Sequence, residues 1–159
     1  MMRQIQEFIG EELSRIATDI RYGLYLVRCV REPDIYRLGA SGFKGGLAAR
    51  LRHHRGGPPR DRKNPPNWTE LMRPFRPVWA VHLADASDGS TKRCERYLQA
   101  KFSTRFKFVD ESGFTAAGIP EDEIVEFARA QLEELRRLFE FQDGEFFKKL
   151  PKTGVRWSA

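Results

Sequence analysis

The sequence predicts an α+β domain, a small three-stranded antiparallel sheet flanked by helices. Three observations carry that expectation. Residues 22–30 alternate large apolar side chains across two faces and are followed by the turn chemistry of Arg31-Glu32-Pro33-Asp34 and a second strand ending at Gly39. Residues 78–83 alternate around Trp79 and His82 as a third strand. Helical spacing of apolar residues appears at 4–20, again at Cys94, Leu98 and Phe102, and from Ile124 to Leu138.

Taken in order, residues 1–21 read as an amphipathic helix through Ile5, Phe8, Ile9, Leu13, Ile16 and Ile20. Its apolar face would either cover the back of the sheet or join two copies as a homodimer. Residues 22–118 form the core. In its hairpin, Tyr25 and Arg37 are equally distant from a turn centred on Arg31, so they are expected opposite each other. Gly42, Gly45 and Gly46 then lead into a short helix with Leu47 and Leu51 on its buried stripe. Arg50 and His54 lie four residues apart on an adjoining face. Residues 56–77 are rich in proline, which predicts a long loop without helix or central strand. Asp88-Gly89-Ser90 supplies a helix start, and Glu95 falls beside the stripe of Cys94, Leu98 and Phe102. Residues 106–109 read as a short strand and 110–118 as a loop. Residues 119–159 supply one helix, opened by Pro120 and the acidic Glu121, Asp122 and Glu123, and then a basic tail.

Composition narrows the function classes. The chain has 159 residues, enough for one core, and a net charge of +6. Residues 50–76 hold eight Arg and Lys against Asp61 and Glu70, a surplus equal to that of the whole chain. Lys44, Arg52, Arg55, Arg60, Arg62 and Lys63, with Trp68 as a stacking ring, therefore form a candidate nucleic-acid-binding set. Charge alone fits a solvated loop equally. No apolar run reaches the roughly 20 residues of a membrane span. Glu11, Glu12 and Arg15 interrupt any signal-peptide core, so a cytoplasmic protein without membrane attachment is expected. Cys29 and Cys94 lack the spacing of a disulfide framework or zinc site and read as small buried residues.

Gly23-Leu24-Tyr25, Arg37-Leu38-Gly39, Arg50-x-x-x-His54, a third strand and then a helical Glu95 occur in an order that resembles the GIY-YIG nuclease family. Glu95-Arg96-Tyr97-Leu98 with Phe102, followed by Glu111-Ser112-Gly113-Phe114, resembles the branch found in phage and mobile-element proteins. The resemblance covers residues 22 to about 115. It implies a divalent-metal-dependent endonuclease that hydrolyses DNA phosphodiester bonds. Tyr25 would position or deprotonate the attacking water, Arg50 would hold the phosphate and stabilise its oxyanion, and His54 would orient the nucleophile or a phosphate oxygen. Glu95 would be the ligand of Mg2+ or Mn2+. Counting back from Gly39 puts Arg37 at the family's second-tyrosine position, and Tyr36 fills it only if the strand is offset by one residue. The alternative is a catalytically inactive nucleic-acid-binding module of the same fold. A third reading, an interaction subunit using its terminal helices, leaves the central residues without a role.

Overall fold

A computed structural model describes residues 5–42, 45–56, 74–110 and 113–140. Strand β2, Gly23–Cys29, is the middle of the architecture because both of its faces are apolar. Leu24 and Leu26 enter one buried cluster, while Tyr25, Val27 and Cys29 enter another on the opposite face. A strand buried on both sides needs partners at both edges, and β2 pairs with β3, Ile35–Ser41, and with β4, Phe75–Leu83.

The sheet has six strands rather than three, all antiparallel, in the order β1-β4-β2-β3-β6-β5. Strand β1, Ile5–Ile9, replaces the first part of the expected N-terminal helix, and a 3-10 segment, Gly10–Arg15, replaces the second. The helical spacing there was genuine, but tertiary packing overrode it. Ile5 and Ile9 pack on one core while Phe8 packs on the other, an alternation that only an extended chain delivers. Glu7 is tied down as well, accepting from Trp79 Nε1 at 2.9 Å and from Arg129 Nε at 3.0 Å. Gly10, with φ of +63°, ends the strand.

The loop expected at 110–118 contains another strand. Strands β5, Lys107–Asp110, and β6, Gly113–Thr115, extend the sheet beyond β3. Phe114 is the reason, since it stands opposite both Phe108 and Tyr36 and its ring stacks on Tyr36 at 5.7 Å. Strand β4 also starts three residues before the expected 78, inside the proline-rich stretch. Pro77 is tolerated there because β1 pairs only from Trp79 onward and the β2 register shifts past Val78 as a bulge.

Helix α1, Gly46–Arg55, covers the Tyr25 face through Leu47 and Leu51. Helix α2, Asp88–Ser103, covers the other with Cys94, Leu98 and Phe102. It starts at the expected place: Ser87 Oγ accepts from Ser90 N at 3.2 Å, and Ser90 Oγ accepts from Ser87 N at 2.8 Å. The single C-terminal helix of the sequence reading is two, α3, Glu121–Arg129, and α4, Leu132–Glu140. At the break, Gln131 Nε2 donates to the Phe127 carbonyl at 3.2 Å, and beyond it Leu135 and Leu138 reach the α2 core. Both cysteines are buried as expected, and burial pushes the Cys94 thiol up to about 12. Among the described residues, no helix is long and apolar enough to cross a membrane.

Candidate active site

The hairpin register decides which side chains meet. Tyr25 stands opposite Gly39, and Arg37 stands opposite Val27, so the expected Tyr25–Arg37 pair does not form. The reversal is centred on Glu32, whose carbonyl accepts from Ile35 N at 2.9 Å. Moving the centre by one residue moves each partner by two, which preserves the face. Arg37 therefore stays on the Tyr25 side, displaced two residues along to stand opposite Val27. Tyr36 points the other way, into the core beneath α2, where it is 1% exposed. No offset of the strand brings it to Tyr25.

Gly39 has a steric reason to be glycine. A Cβ there would overlap the Tyr25 hydroxyl and the ring carbon that bears it. The ring thus lies directly across the β3 backbone. Gly39→Ala is expected to force Tyr25 off its position and to cost about 1–3 kcal/mol, checked by thermal unfolding. Any retained activity should fall with it.

From that position the Tyr25 hydroxyl has two partners. It lies 2.8 Å from His54 Nε2, and it accepts from Arg50 Nε at 3.3 Å. Arg50 is an obligatory donor, so the phenolic oxygen accepts from it, and the direction of the bond to His54 Nε2 follows the imidazole tautomer. His54 is 0% exposed, so it belongs to the buried stripe of α1 and not to the adjoining face where it was expected. Its ring also meets Phe75 edge-on at 5.6 Å. The pair is a buried, oriented phenol and imidazole reached by a guanidinium from the side.

Strand β6 pairs with β3 only at Ile35 and Tyr36. Beyond that point the β3 edge has no neighbouring strand among the described residues, and side chains from both faces of the sheet can meet around it. They meet in a cleft of about 390 Å³. Tyr25 comes from β2, Arg37 through Ala40 from β3, Arg50 from α1, and Lys92, Glu95, Arg96 and Gln99 from α2. Four of the five expected catalytic residues thus line one cavity, and the fifth, His54, stands behind Tyr25.

Among the described residues, Glu95 is the one carboxylate on that wall, beside cations from three elements. Burial raises its pKa, while Arg37, Arg50, Lys92 and Arg96 pull it back toward the ionised form. Gln99 Nε2 donates to Glu95 Oε1 at 3.3 Å, which orients the carboxylate from one turn further along the helix. Arg37 Nε is buried without a hydrogen-bond partner among the described residues, an unmet donor on the cleft wall.

The raised pKa has a stability consequence. A carboxyl that binds its proton more tightly folded than unfolded contributes stability below the ordinary carboxylate range and loses it as pH rises through the folded pKa. At neutral pH the ionised Glu95 is therefore a burden on the fold. Glu95→Gln is expected to raise Tm at pH 7 by a few degrees, on the order of 1 kcal/mol. The gain should shrink as pH falls through the raised folded pKa and be gone below about 4.3, where the unfolded carboxyl is protonated as well. Scanning calorimetry across pH measures both.

Of the candidate nucleic-acid-binding set, the two described residues, Arg52 and Arg55, do not line this cleft. Arg52 is exposed on α1 away from the cleft lining. Arg55 lines a different cleft of about 770 Å³, beside Arg76, Glu121 and Arg129. Lys44, Arg60, Arg62, Lys63 and Trp68 lie outside the described residues, as do most of the 56–77 loop and the basic tail. Conversely, the sequence reading passed over Lys92, Arg96 and Gln99. Their signal was present: with Glu95 they repeat at i, i+3, i+4 and i+7, a polar stripe alongside the apolar one.

The donor chemistry bears on a metal ion. Among the described residues, no three His, Cys, Asp or Glu side chains gather into a ligand group. A hard cation that keeps several waters and is shared between one carboxylate and a substrate phosphate fits Glu95. A fully protein-ligated ion does not. Comparison with protein-family models, curated proteins and solved structures finds no match to this chain.

Proposed function

We propose that this cleft hydrolyses phosphodiester bonds in DNA, with Mg2+ or Mn2+ held by Glu95 and the substrate, as the resemblance to GIY-YIG nucleases implies. The observation that carries the reading is the convergence of Tyr25, Arg37, Arg50 and Glu95 from four separate elements on one cleft, with His54 behind the Tyr25 hydroxyl. A guanidinium that already touches the phenol is in position to hold a phosphoryl oxygen beside it. As charge builds on that phosphate, Arg50 and Arg37 offer fixed positive donors that need no reorganisation. Tyr25 takes a proton from the attacking water while passing its own to His54 Nε2, so the buried imidazole ends the step carrying the extra proton. Glu95 would hold the divalent cation, which would supply Lewis-acid polarisation of the phosphate and a lowered pKa for the water.

Incubating supercoiled and linear DNA with Mg2+ or Mn2+ tests this directly. Nicking or cutting by the wild type that is lost in both Arg50→Ala and Glu95→Gln is the expected result. Absence of cutting, or cutting indifferent to both changes, removes the enzyme reading. The excess of cations over carboxylates in the cleft favours a second reading, a binding module without catalysis. In that case DNA binding would survive Glu95→Gln, fall steeply with salt, and never be followed by cleavage.

A further inference from the structure

We propose that Gln99 is a positioning residue that sets the cation preference of Glu95: by holding one carboxylate oxygen it leaves a one-oxygen ligand, which suits Mg2+ or Mn2+ and disfavours Ca2+. The inference rests on the metal-dependent reading above and deepens it. Glu95 and Gln99 lie one turn apart on α2 and line the same cleft. Gln99 is 7% exposed, and an amide at that depth needs a partner. It has one in Glu95 Oε1, to which its Nε2 donates at 3.3 Å. Among the described residues, Glu95 makes no other hydrogen bond and no ion pair. Its two oxygens are therefore unequal, one sharing its charge with a donor and one without. A packing role alone would be served by methionine or leucine, which fill a similar volume with no amide to bury.

That inequality matters because the candidate ions use a carboxylate differently. Ca2+ takes about six to eight oxygens in a flexible shell and readily grips both oxygens of one carboxylate, whereas Mg2+ demands an octahedral shell, keeps several waters and needs only one. An amide that draws on Oε1 weakens the two-oxygen grip and spares the one-oxygen grip. The neighbouring charges make no such distinction, since Arg37 of β3, Arg50 of α1 and Lys92 and Arg96 of α2 act on the carboxylate as a whole. Asp88 is the other carboxylate of this groove, and with Glu95 and Lys92 it lines the adjoining cavity of about 40 Å³. It opens α2 about two turns before Glu95, roughly 10 Å back along the axis, which makes it the natural control.

The test reads binding in solution and needs no cleavage. Mn2+ alone is titrated into wild type, Glu95→Gln, Gln99→Met, Gln99→Leu and Asp88→Asn while NMR follows the broadening of the α2 backbone amides, and Ca2+ is then added to displace it. Wild type is expected to bind Mn2+ at Glu95, to lose that binding in Glu95→Gln, and to yield to Ca2+ only at large excess. Gln99→Met and Gln99→Leu should each shift the affinity ratio toward Ca2+ by about tenfold, and Asp88→Asn should leave it in place. Two apolar replacements keep the result readable if one of them unfolds. A ratio unmoved in the Gln99 variants, or moved as far by Asp88→Asn, overturns the role of Gln99; if Mn2+ binding is still lost in Glu95→Gln, the cation site itself stands. Binding indifferent to Glu95→Gln removes Glu95 as the ligand and the role of Gln99 with it. A ratio that moves in a protein that never cuts DNA keeps the role of Gln99 and removes the hydrolase.

Discussion

Arg50→Ala is expected to lower the rate of DNA cleavage by about 10²–10³-fold while leaving the fold intact. Arg50 is only partly buried on α1, and its single described side-chain hydrogen bond is the one to Tyr25, so its removal opens space at the cleft without disturbing either core. What disappears is a permanent positive charge beside the phosphoryl oxygens, together with the donor that holds the phenolic lone pair. Substrate binding should weaken less than turnover, because Arg37, Lys92 and Arg96 still attract the strand. A fall in kcat larger than the rise in KM, with an unchanged melting curve, is the signature to look for. Lysine at this position should restore part of the binding and little of the rate, since an ammonium cannot reproduce the planar fork.

Tyr25→Phe is expected to be more severe, with a loss of about 10²–10⁴-fold in rate. The ring would keep its place over Gly39, but His54 Nε2 would lose its 2.8 Å partner inside the protein. The cost to stability should be about 1–3 kcal/mol, because one half of a buried hydrogen bond would remain. Activity and stability thus fall together in this variant. They move in opposite directions in Glu95→Gln, where the ionised carboxylate is the less comfortable state for the fold. Measuring both quantities on Tyr25→Phe, Arg50→Ala and Glu95→Gln distinguishes chemistry from scaffold better than any single loss of function. The acid limb of the pH–rate profile should likewise lie above the ordinary carboxylate range, since Glu95 must be ionised to accept a cation and its pKa is raised.

The parts of the site that were legible in the sequence are those set by local spacing. Arg50 follows Leu47 at one step beyond the buried ridge and Glu95 adjoins Cys94; each position follows from a helical period alone, whereas Gly39, expected to end its strand, lies inside β3, which runs on to Ser41. The Tyr25–Arg37 pairing failed because a hairpin register depends on where the turn closes, and Pro33 and Asp34 allowed a centre at Arg31 or Glu32. His54 was expected on a face adjoining the buried stripe because its helix spacing suits either the edge or the centre of a stripe, and Tyr25 arriving from β2 makes full burial favourable. The sheet was undercounted for a related reason. Strands of three to five residues such as β1 and β6 carry too few alternations to be seen, and what holds them, Trp79 against Glu7 or Phe114 between Tyr36 and Phe108, comes from far along the chain. Lys92, Arg96 and Gln99 were visible as a stripe, yet a polar stripe on a helix normally faces solvent.

The pairing of β1 with β4 has a consequence for the order of events during synthesis. Ile5 reaches its partner only when Leu83 exists, whereas β2 and β3 can close their hairpin as soon as residue 41 is made. At about 5–20 residues per second, the first strand waits several seconds on the ribosome with its partner unwritten. During that interval the helical spacing of Ile5, Phe8 and Ile9 has no competitor, so the segment is free to coil before it is recruited as a strand.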